Sequence, residues 1–489
     1  MTRAAHPNTA NGVRLLSAVL LAGTAILTSL LTGCMVGPNY KRPSAPAAPE
    51  FKEAAGWQPA QPADQQVRGK WWQVYGDTGL NAYEEQVDVS NQNLKVAVTE
   101  FTQARAAIQY NRSNLFPTLG IGVSAARQRG STNRATYFNS ITNQYNDFDL
   151  PLNVSWEPDF WGRIRRSVTQ ARENAQASAA DVQNVRLSLQ AELAVDYFQL
   201  RGLDAQKQIL DQTVAAYEKS LQLTQDLFHG GLGSQLDVAE ARTQLETTLA
   251  QDQDVGVARA QYEHAIAVLM GQPPSSFSIA PRVIAAQPPA IPVGLPSQLL
   301  ERRPDIAAAE RTMAAANEQI GITRAAYYPT FSLTGLGGFE SAHPGNWFTG
   351  PSSLWSFGVS GSDEIVDWGR RHAQGVQAQA AYDGNVATYR QTVLTAYQEV
   401  EDNLAALRVL QGEAQTQQDA VAAAQQQEQI ATSLYKGGLD TYLNVITAQS
   451  ITLSNELVAS QIGTRRMAAS VLLIKALGGG WDVSQLPKL

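Results

Sequence analysis

The hydrophobic and polar positions of the chain follow a helical period, then strict alternation, then a helical period again, and this order occurs twice. In the first part, the spacing predicts a helix from about Asn81 to Asn114, which Pro117 ends. After the alternating segment, a long helix is predicted from just beyond Pro158 to about Phe228. Each part therefore predicts a helix, a strand hairpin, a long helix and a final helix.

The alternation is most regular in the second predicted strand, in which every second residue is apolar. The apolar series is Phe148, Leu150, Leu152, Val154 and Trp156, and the intervening polar residues include Asp149, Asn153 and Ser155. An earlier series of the same kind is Leu119, Ile121, Val123 and Ala125, and weaker ones in the second part are Phe331 with Leu333 and Trp355 with Phe357 and Val359. We expect the apolar sets to face lipid and the polar sets to face water, although a soluble hairpin packed on the helices is an alternative.

The two parts are copies of one unit. Residues 115–118 align with 327–330 at an offset of 212, whereas the Trp-Gly-Arg and Gly-Gly-Leu motifs align at an offset of 207. The difference in length therefore lies inside the hairpin, where loops accept insertions. Such a duplication predicts two equivalent structural units.

The predicted organisation has six segments. Residues 1–33 are a lipoprotein signal peptide and 34–77 an extended, proline-containing tether. Repeat 1 covers 78–270 with its hairpin at 117–157, and repeat 2 covers 298–477 with its hairpin at 329–365. A proline-rich segment at 271–297 and a tail at 478–489 complete the chain.

The amino-terminal segment has the features of an export signal. Its only charges are Arg3 and Arg14, and the apolar run that follows ends in Leu-Thr-Gly before Cys34, the only cysteine. A branched residue and two small ones before a cysteine resemble a bacterial lipobox, so Cys34 is the predicted lipidation site. A buried structural cysteine is the alternative.

The lengths of the predicted elements suggest a tube. A helix of about 70 residues measures about 105 Å, and the two shorter helices of a repeat together match it. About four membrane strands of about 10 residues cannot close a barrel, since the smallest single-chain barrels have about eight. Unpaired strand edges are costly in lipid, so the sheet must close by oligomerisation. A trimer with 12 strands is preferred, and a tetramer remains open.

The segments Leu-Leu-Glu-Arg-Arg-Pro-Asp-Ile at 299–306 and Ala-Asn-Glu-Gln-Ile-Gly at 316–321 resemble the TolC-like outer-membrane efflux proteins. The segment Cys-Met-Val-Gly-Pro-Asn-Tyr at 34–40 resembles the lipoprotein branch of that family, which is associated with RND-type tripartite pumps. The resemblance implies a homotrimer with a helical periplasmic tunnel, an equatorial belt and a 12-strand barrel. It also implies a location in the outer membrane, where the protein is lipid-anchored and spanning and reaches into the periplasm. The implied partners are a periplasmic membrane-fusion adaptor, an inner-membrane RND-type transporter and outer-membrane lipid.

Two repeated turns lie where each long helix ends, opposite the strands. Each turn is predicted to end one helix and to precede the start of the next. A capping box is expected from Ser234 to Asp237, and a weaker one from Thr441 to Asn444. The resemblance implies that the turns dock the adaptor through Gly230, Gly231, Leu232, Gly437, Gly438 and Leu439. It also implies a periplasmic gate at Asp237, Glu240, Asp440, Leu443, Asn444 and Thr447. Asn444 and Thr447 replace acids common in the family, so we hypothesise that the gate relies on Leu443 packing more than on charge.

Tryptophans flank the predicted strand ends, as in an aromatic girdle. The predicted membrane-interface residues are Trp156, Trp161, Trp355 and Trp368. The Trp-Gly-Arg motifs also place Arg163 and Arg370 near headgroups, although a structural role in the turn is an equal alternative.

The remaining features argue against other classes of protein. The net charge is −7 and no basic patch with aromatics appears, so no nucleic-acid partner is expected. The five histidines are scattered and no phosphate loop or nucleophile motif is present, so we expect no enzyme activity, metal or cofactor. The predicted function is a passive outer-membrane duct for drugs or other small molecules. The alternatives are the exit duct of a type I protein-secretion system and a coiled-coil surface lipoprotein.

Overall fold

A computed structural model of the chain describes residues 35–46, 50–54, 69–129, 131, 144–284, 287–291 and 299–489. This part is mostly helical and contains one small sheet. The predicted signal peptide and Cys34 lie outside the described residues. Among the helices described, none is both long enough and apolar enough to cross a membrane.

Two very long helices dominate the fold, one in each repeat. The helices of repeat 1 are α1 (Thr78–Ser90), α2 (Gln92–Ser113), α3 (Arg163–His229) and α4 (Gln235–Leu269). Those of repeat 2 are α5 (Leu299–Arg302), α6 (Pro304–Ala325), α7 (Arg370–Lys436) and α8 (Tyr442–Ala476). Both α3 and α7 have 67 residues, which corresponds to about 100 Å. The long helices and their repetition are as predicted.

The prediction of one continuous first helix from Asn81 to Asn114 is wrong, because the helix is interrupted at Asn91. This residue is extended (φ −60°, ψ 128°), and its side-chain oxygen accepts a hydrogen bond from the Leu94 amide at 3.0 Å. Its side-chain nitrogen donates to the Leu269 carbonyl at 2.7 Å. Asn91 therefore caps α2 and ties this break to the end of α4, a long-range contact that periodicity does not reveal.

The sheet is antiparallel throughout its described strands. They are β1 (Thr118–Ile121), β2 (Ser124–Arg129), β3 (Gln144–Trp156), β4 (Thr330–Ser341) and β5 (Ser353–Ser362). Their order is β1-β3-β4-β5, and β2 continues beside β3 in the register of β1.

The first predicted strand is divided at Gly122 and Val123, which corrects the expectation of an unbroken alternating segment. Pro151 lies opposite on β3 and has no N–H to donate, although its carbonyl accepts from the Gly122 amide at 3.0 Å. The strand with the weakest pattern instead continues through its glycines to Ser341. A Cβ at Gly338 would lie 2.2 Å from the Leu150 carbonyl oxygen, so the glycine permits close strand approach.

The main hydrophobic core lies at mid-height, where helices of both repeats meet. It includes the fully buried Trp71 and Trp72 and, from α7, Val393, Val400 and Leu404. The segment 35–46 is extended and lies along the helices, with the Val36 amide donating to the Trp161 carbonyl at 3.1 Å.

The inter-repeat segment is held to the helices by a buried ionic network. Asp204 on α3 accepts hydrogen bonds from Arg201 at 2.8 Å, from Arg259 on α4 at 2.7 Å and from the Arg282 amide at 2.9 Å. Arg259 also donates to the Ile279 carbonyl at 2.6 Å. The described part of this proline-rich segment, which includes a short 3-10 helix at Pro274–Ser276, is therefore fixed to the long helices by charge-assisted bonds.

The buried Glu84 on α1 should make the protein less stable as the pH rises. It is fully buried, and neither carboxylate oxygen has a hydrogen-bond partner in the described part of the chain. Burial, and then the nearby Asp88, raise the pKa of Glu84 well above its usual value. Because the pKa of Glu84 is higher in the folded state, folding favours its protonated form. The contribution of Glu84 to the free energy of unfolding is therefore complete at low pH and is lost as the pH rises through the raised pKa.

We expect Glu84→Gln to stabilise the protein at alkaline pH and to flatten the profile of Tm between about pH 5 and about pH 9. The matched control is Glu85→Gln, because Glu85 is exposed and pairs with Lys70. Its effect on Tm should be small across that range. Parallel profiles for wild type and Glu84→Gln would contradict the prediction.

Candidate functional site

One face of the sheet is apolar where β1, β3, β4 and β5 pair. In register, Ile121, Leu152, Gly337 and Trp355 form one row, and a neighbouring row contains Leu119, Val154, Gly335 and Phe357. The exposed fractions are 74% for Ile121, 83% for Trp355 and 69% for Phe357. An exposed apolar face of this kind is costly in water and matches the lipid-facing side of a membrane sheet.

The opposite face of the same strands carries polar groups. One row consists of Thr118, Ser155, Thr334 and Gly358, and the next of Gly120, Asn153, Leu336 and Ser356. Leu336 is the exception in these two rows. The two-sided pattern predicted from the alternation is therefore present in the folded sheet, with the opposite faces that a membrane strand needs.

The sheet has two open edges. Among the described strands, β1 and β2 pair with β3 alone, and β5 pairs with β4 alone. Their outer N–H and C=O groups are therefore available to further strands.

The four predicted interface tryptophans occupy different positions. Trp156 and Trp161 lie where the strands meet the long helices, and their indole nitrogens donate to the Leu115 carbonyl at 3.0 Å and the Pro329 carbonyl at 2.8 Å. Trp368 lies at the corresponding junction of repeat 2 and is 95% exposed. Trp355 projects from the apolar face near the start of β5.

The Trp-Gly-Arg motifs form the starts of the two long helices. Gly162 and Gly369 precede α3 and α7 in the left-handed region, with φ of 80° and 88°. Arg163 pairs with Glu157 at 2.7 Å, and Arg370 pairs with Glu364. The geometry thus supports the structural role of the motif and pairs both arginines with carboxylates of the chain.

The repeated glycine turns end α3 and α7 in the same way. Gly231 and Gly438 have φ of 74° and 69°, so the second glycine of each motif adopts the left-handed conformation. The Leu232 amide donates to the Leu227 carbonyl at 2.8 Å, and Leu439 repeats the bond to Leu434 at 2.9 Å. These are Schellman caps, and they leave Leu232 83% and Leu439 79% exposed at the end of the molecule opposite the sheet.

Only one of the two predicted capping boxes exists. Ser234 and Asp237 form it, with the Asp237 amide donating to the Ser234 hydroxyl at 3.1 Å. The prediction for Thr441 is wrong, because its side chain makes no capping bond. Asp440 instead accepts hydrogen bonds from the Thr441 backbone amide at 2.7 Å and from the Asn444 side chain at 2.6 Å, so its carboxylate takes two groups that the box would have joined.

The structure brings the predicted gate residues of both repeats to one end of the molecule. The Tyr435 hydroxyl on α7 donates to the Asp237 carboxylate on α4 at 3.4 Å. Burial, and then the negative charge of Asp237, raise the pKa of Tyr435 to about 12, so the hydroxyl remains a donor. A small core that contains Tyr435, Tyr442 and Val445 supports this link. Tyr435 is not among the gate residues predicted from the sequence, although it aligns with Phe228 beside the repeated glycines.

A groove with a volume of about 700 Å³ lies beside these residues, between α4 and α8. Leu236 and Leu443 line it together with Glu240. Leu443 is 58% exposed and Thr447 donates to its carbonyl at 2.8 Å. Leu443 therefore presents an apolar side chain with little cover from its own chain.

The described residues contain no group of three or more histidine, cysteine, aspartate or glutamate side chains placed to hold a metal ion. The features that stand out are the long helical body, the two-faced sheet at one end and the paired turns at the other. Together they define the class of elongated outer-membrane channel proteins.

Comparison with known proteins identifies the family. The outer membrane efflux protein family matches residues 85–272 and 295–479, and the chain belongs to this family. The toluene efflux pump outer membrane protein TtgC of Pseudomonas putida is 33% identical over 467 residues, which cover 94% of this chain and 96% of TtgC. Outer membrane protein OprJ of Pseudomonas aeruginosa is 31% identical over 463 residues, with coverage of 94% and 96%. The Campylobacter jejuni CmeC outer membrane channel superposes with a TM-score of 0.87 at 25% identity, covering 92% of this chain and 96% of CmeC.

Proposed function

We propose that this protein is the outer-membrane duct of a tripartite efflux system and carries small molecules without chemical change. Three chains close one barrel, and their long helices form a tunnel through the periplasm. The duct needs no catalytic group, metal or cofactor. The observation that carries the proposal is the exposed apolar face of a sheet whose two edges are unpaired among the described strands.

The lipid anchor is proposed at Cys34. The next residues, Met35 and Val36, lie against Gly162 and Trp161 at the junction of sheet and helix. An acyl group two residues before Val36 would therefore meet the membrane beside the apolar face. This placement supports the prediction that Cys34 is lipidated. It also supports the interpretation of the following segment as a tether.

The proposed partners meet the opposite end. Leu232 and Leu439 expose equivalent apolar side chains on two rigid turns, which suits docking of a periplasmic adaptor. The adaptor would connect the duct to an inner-membrane RND-type transporter. TtgC is named for a toluene pump, so organic solvents are among the substrates to test here.

The function is tested by deletion and complementation. Loss of the gene should increase susceptibility to some members of a panel of drugs, solvents and metal ions, and the intact gene should restore resistance. The protein should require detergent for extraction and migrate as a heat-labile oligomer. Unchanged susceptibility across the panel, or a water-soluble monomer, would contradict the duct.

The gate hypothesis predicts that Leu443→Ala opens the purified channel. If packing of Leu443 contributes about 1.4 kcal/mol, its loss shifts the ratio of open to closed states about tenfold. Conductance in planar bilayers measures this change. Leu232→Ala, at the proposed docking turn, is the matched control and should reduce efflux in cells while leaving conductance unchanged. Equal conductance of wild type and Leu443→Ala would refute the role of Leu443.

A further inference from the structure

The apolar face of the sheet ends in two arginines on the side away from the long helices, which is the outer end of the sheet. On β2, Arg127 pairs with Asn146, and Arg129 pairs with Gln144. Asn146 and Gln144 lie two and four residues beyond Phe148 on β3, and side chains two residues apart share a face. Both arginines are exposed, so they extend the apolar face with positive charge.

These two arginines have no counter-ion nearby. Neither guanidinium has an ion-pair partner within the described ranges. The chain between β2 and β3, residues 130–143, contains Arg134 and no aspartate or glutamate, and residues 342–352 between β4 and β5 also contain no acid. The two connections at the outer end therefore offer the arginines no carboxylate.

The carboxylates of the outer end belong to the opposite face. Asp149 on β3 pairs with Glu340 on β4, in a row that alternates with the apolar rows. Asp147 shares this face, where the Gln128 side chain donates to its carboxylate at 3.4 Å. The outer end is therefore negative on the face that would line the lumen and positive on the face that would meet lipid.

The arginines lie just beyond the apolar band. The apolar series on β3 runs from Phe148 to Trp156, which is about 27 Å along the strand and about 21 Å along the membrane normal at a tilt of about 40°. Membrane barrels present an apolar band about 25 Å tall to lipid. Because Arg127 lies about 7 Å further along the sheet than Phe148, its guanidinium falls at the depth of the headgroups.

An aromatic cluster marks the same boundary. Trp347 and Phe348 follow β4 and stack on each other with ring centroids 5.0 Å apart. Trp347 also contacts Phe148 at 5.6 Å, and Phe348 contacts Phe339 at 5.7 Å. Aromatic rings concentrate at the level of the headgroups, so this cluster independently places the outer end of the sheet at the membrane surface.

We propose that Arg127 and Arg129 form a binding site for the phosphate groups of an anionic lipid in the outer leaflet. Their Cα atoms are about 7 Å apart along one face of β2, so both side chains can reach one headgroup. Arginine donates paired hydrogen bonds to phosphate oxygens and suits this ligand better than lysine does. The inference rests on the proposed function, which places the apolar face in lipid, and adds a specific ligand to that face.

Binding is measured by native mass spectrometry on the full-length oligomer purified in nonionic detergent. The probe is bisphosphorylated lipid A, and the comparison lipid is the same glycolipid without its phosphates. The double variant Arg127→Gln with Arg129→Gln should bind lipid A about thirtyfold more weakly, since each arginine beside an anionic surface contributes about fivefold. Its binding of the dephosphorylated lipid should equal that of the wild type.

Two controls separate the site from net charge. Adding Ala126→Arg and Gln128→Arg to the double variant restores the charge on the opposite face of β2, and binding of lipid A should remain weak. Arg242→Gln with Arg465→Gln removes two exposed arginines from the helical body and should leave binding unchanged.

The single variants Arg127→Gln and Arg129→Gln should each bind lipid A about fivefold more weakly, and they replace the double variant if it forms no heat-labile oligomer. Loss confined to the phosphorylated lipid supports the proposal. Wild-type binding by these variants, recovery by arginines on the opposite face, or displacement of lipid A by an equal concentration of inorganic phosphate overturns the lipid site. The duct stands in those cases if the same variants restore efflux, whereas a water-soluble monomer that restores none overturns both.

Discussion

Glu318→Ala should lower the free energy of unfolding by about 3–5 kcal/mol, among the largest effects expected of a single substitution in this chain. Glu318 on α6 accepts from Arg166 on α3 at 2.7 Å, and the two side chains are 9% and 1% exposed. Removing the carboxylate leaves a buried guanidinium without its counter-ion. Arg166 also donates to the Val36 carbonyl at 2.6 Å, so the loss should loosen the amino-terminal segment.

Thermal and urea unfolding of the detergent-solubilised protein measure the loss, and hydrogen exchange reports on the amides near Val36. Two variants serve as controls. Glu157→Ala removes an ion pair of the same 2.7 Å length whose members are 38% and 41% exposed, and it should cost less than about 1 kcal/mol. The double variant Arg166→Met with Glu318→Leu should recover most of the stability, because it leaves no unpaired charge. A small effect of Glu318→Ala would show that water reaches Arg166.

Val154→Lys should cost about 2–4 kcal/mol and sharply reduce the amount of oligomer in the outer membrane. Val154 lies on the apolar face of the sheet between Leu119 and Gly335. In the proposed membrane position, its replacement places an ammonium group in hydrocarbon, where hydration is lost. Quantitative blots of unheated membrane fractions measure the loss of oligomer.

Asn153→Lys is the matched control, since Asn153 is the preceding residue on the same strand and faces the polar side. It should assemble normally and shift ion selectivity toward anions, because its charge would line the lumen. If both lysines were equally tolerated, neither face would contact lipid and the membrane assignment of the sheet would be wrong.

The sequence anticipated the long helices and the two-faced strands because each depends on local periodicity. A helix of 67 residues repeats its pattern many times, so no single residue decides it. In β3, alternation places Leu152 and Asn153 on opposite faces whatever the strand pairs with. The glycine turns were also readable, since two chain segments with the same motif form the same cap.

Features set by distant partners were not predictable in this way. The break at Asn91 depends on a carbonyl of Leu269, and the division of the first strand depends on Pro151 across the sheet. Tyr435 joins the candidate gate only because folding brings α7 beside α4 and its Asp237. Such contacts join residues far apart along the chain, which periodicity does not encode.

By itself, the sequence determined the repeated units, the helix lengths and the two-sided strands, because hydrophobic spacing and glycine placement act over a few neighbouring residues. The tertiary structure alone decided which buried charges pair and which surfaces are left uncovered. It placed Arg166 beside Glu318 and left Trp368 exposed while its counterpart Trp161 is packed. The physical reason is that burial and ion pairing are properties of the whole packed molecule, since they depend on which helices and strands exclude water from each side chain.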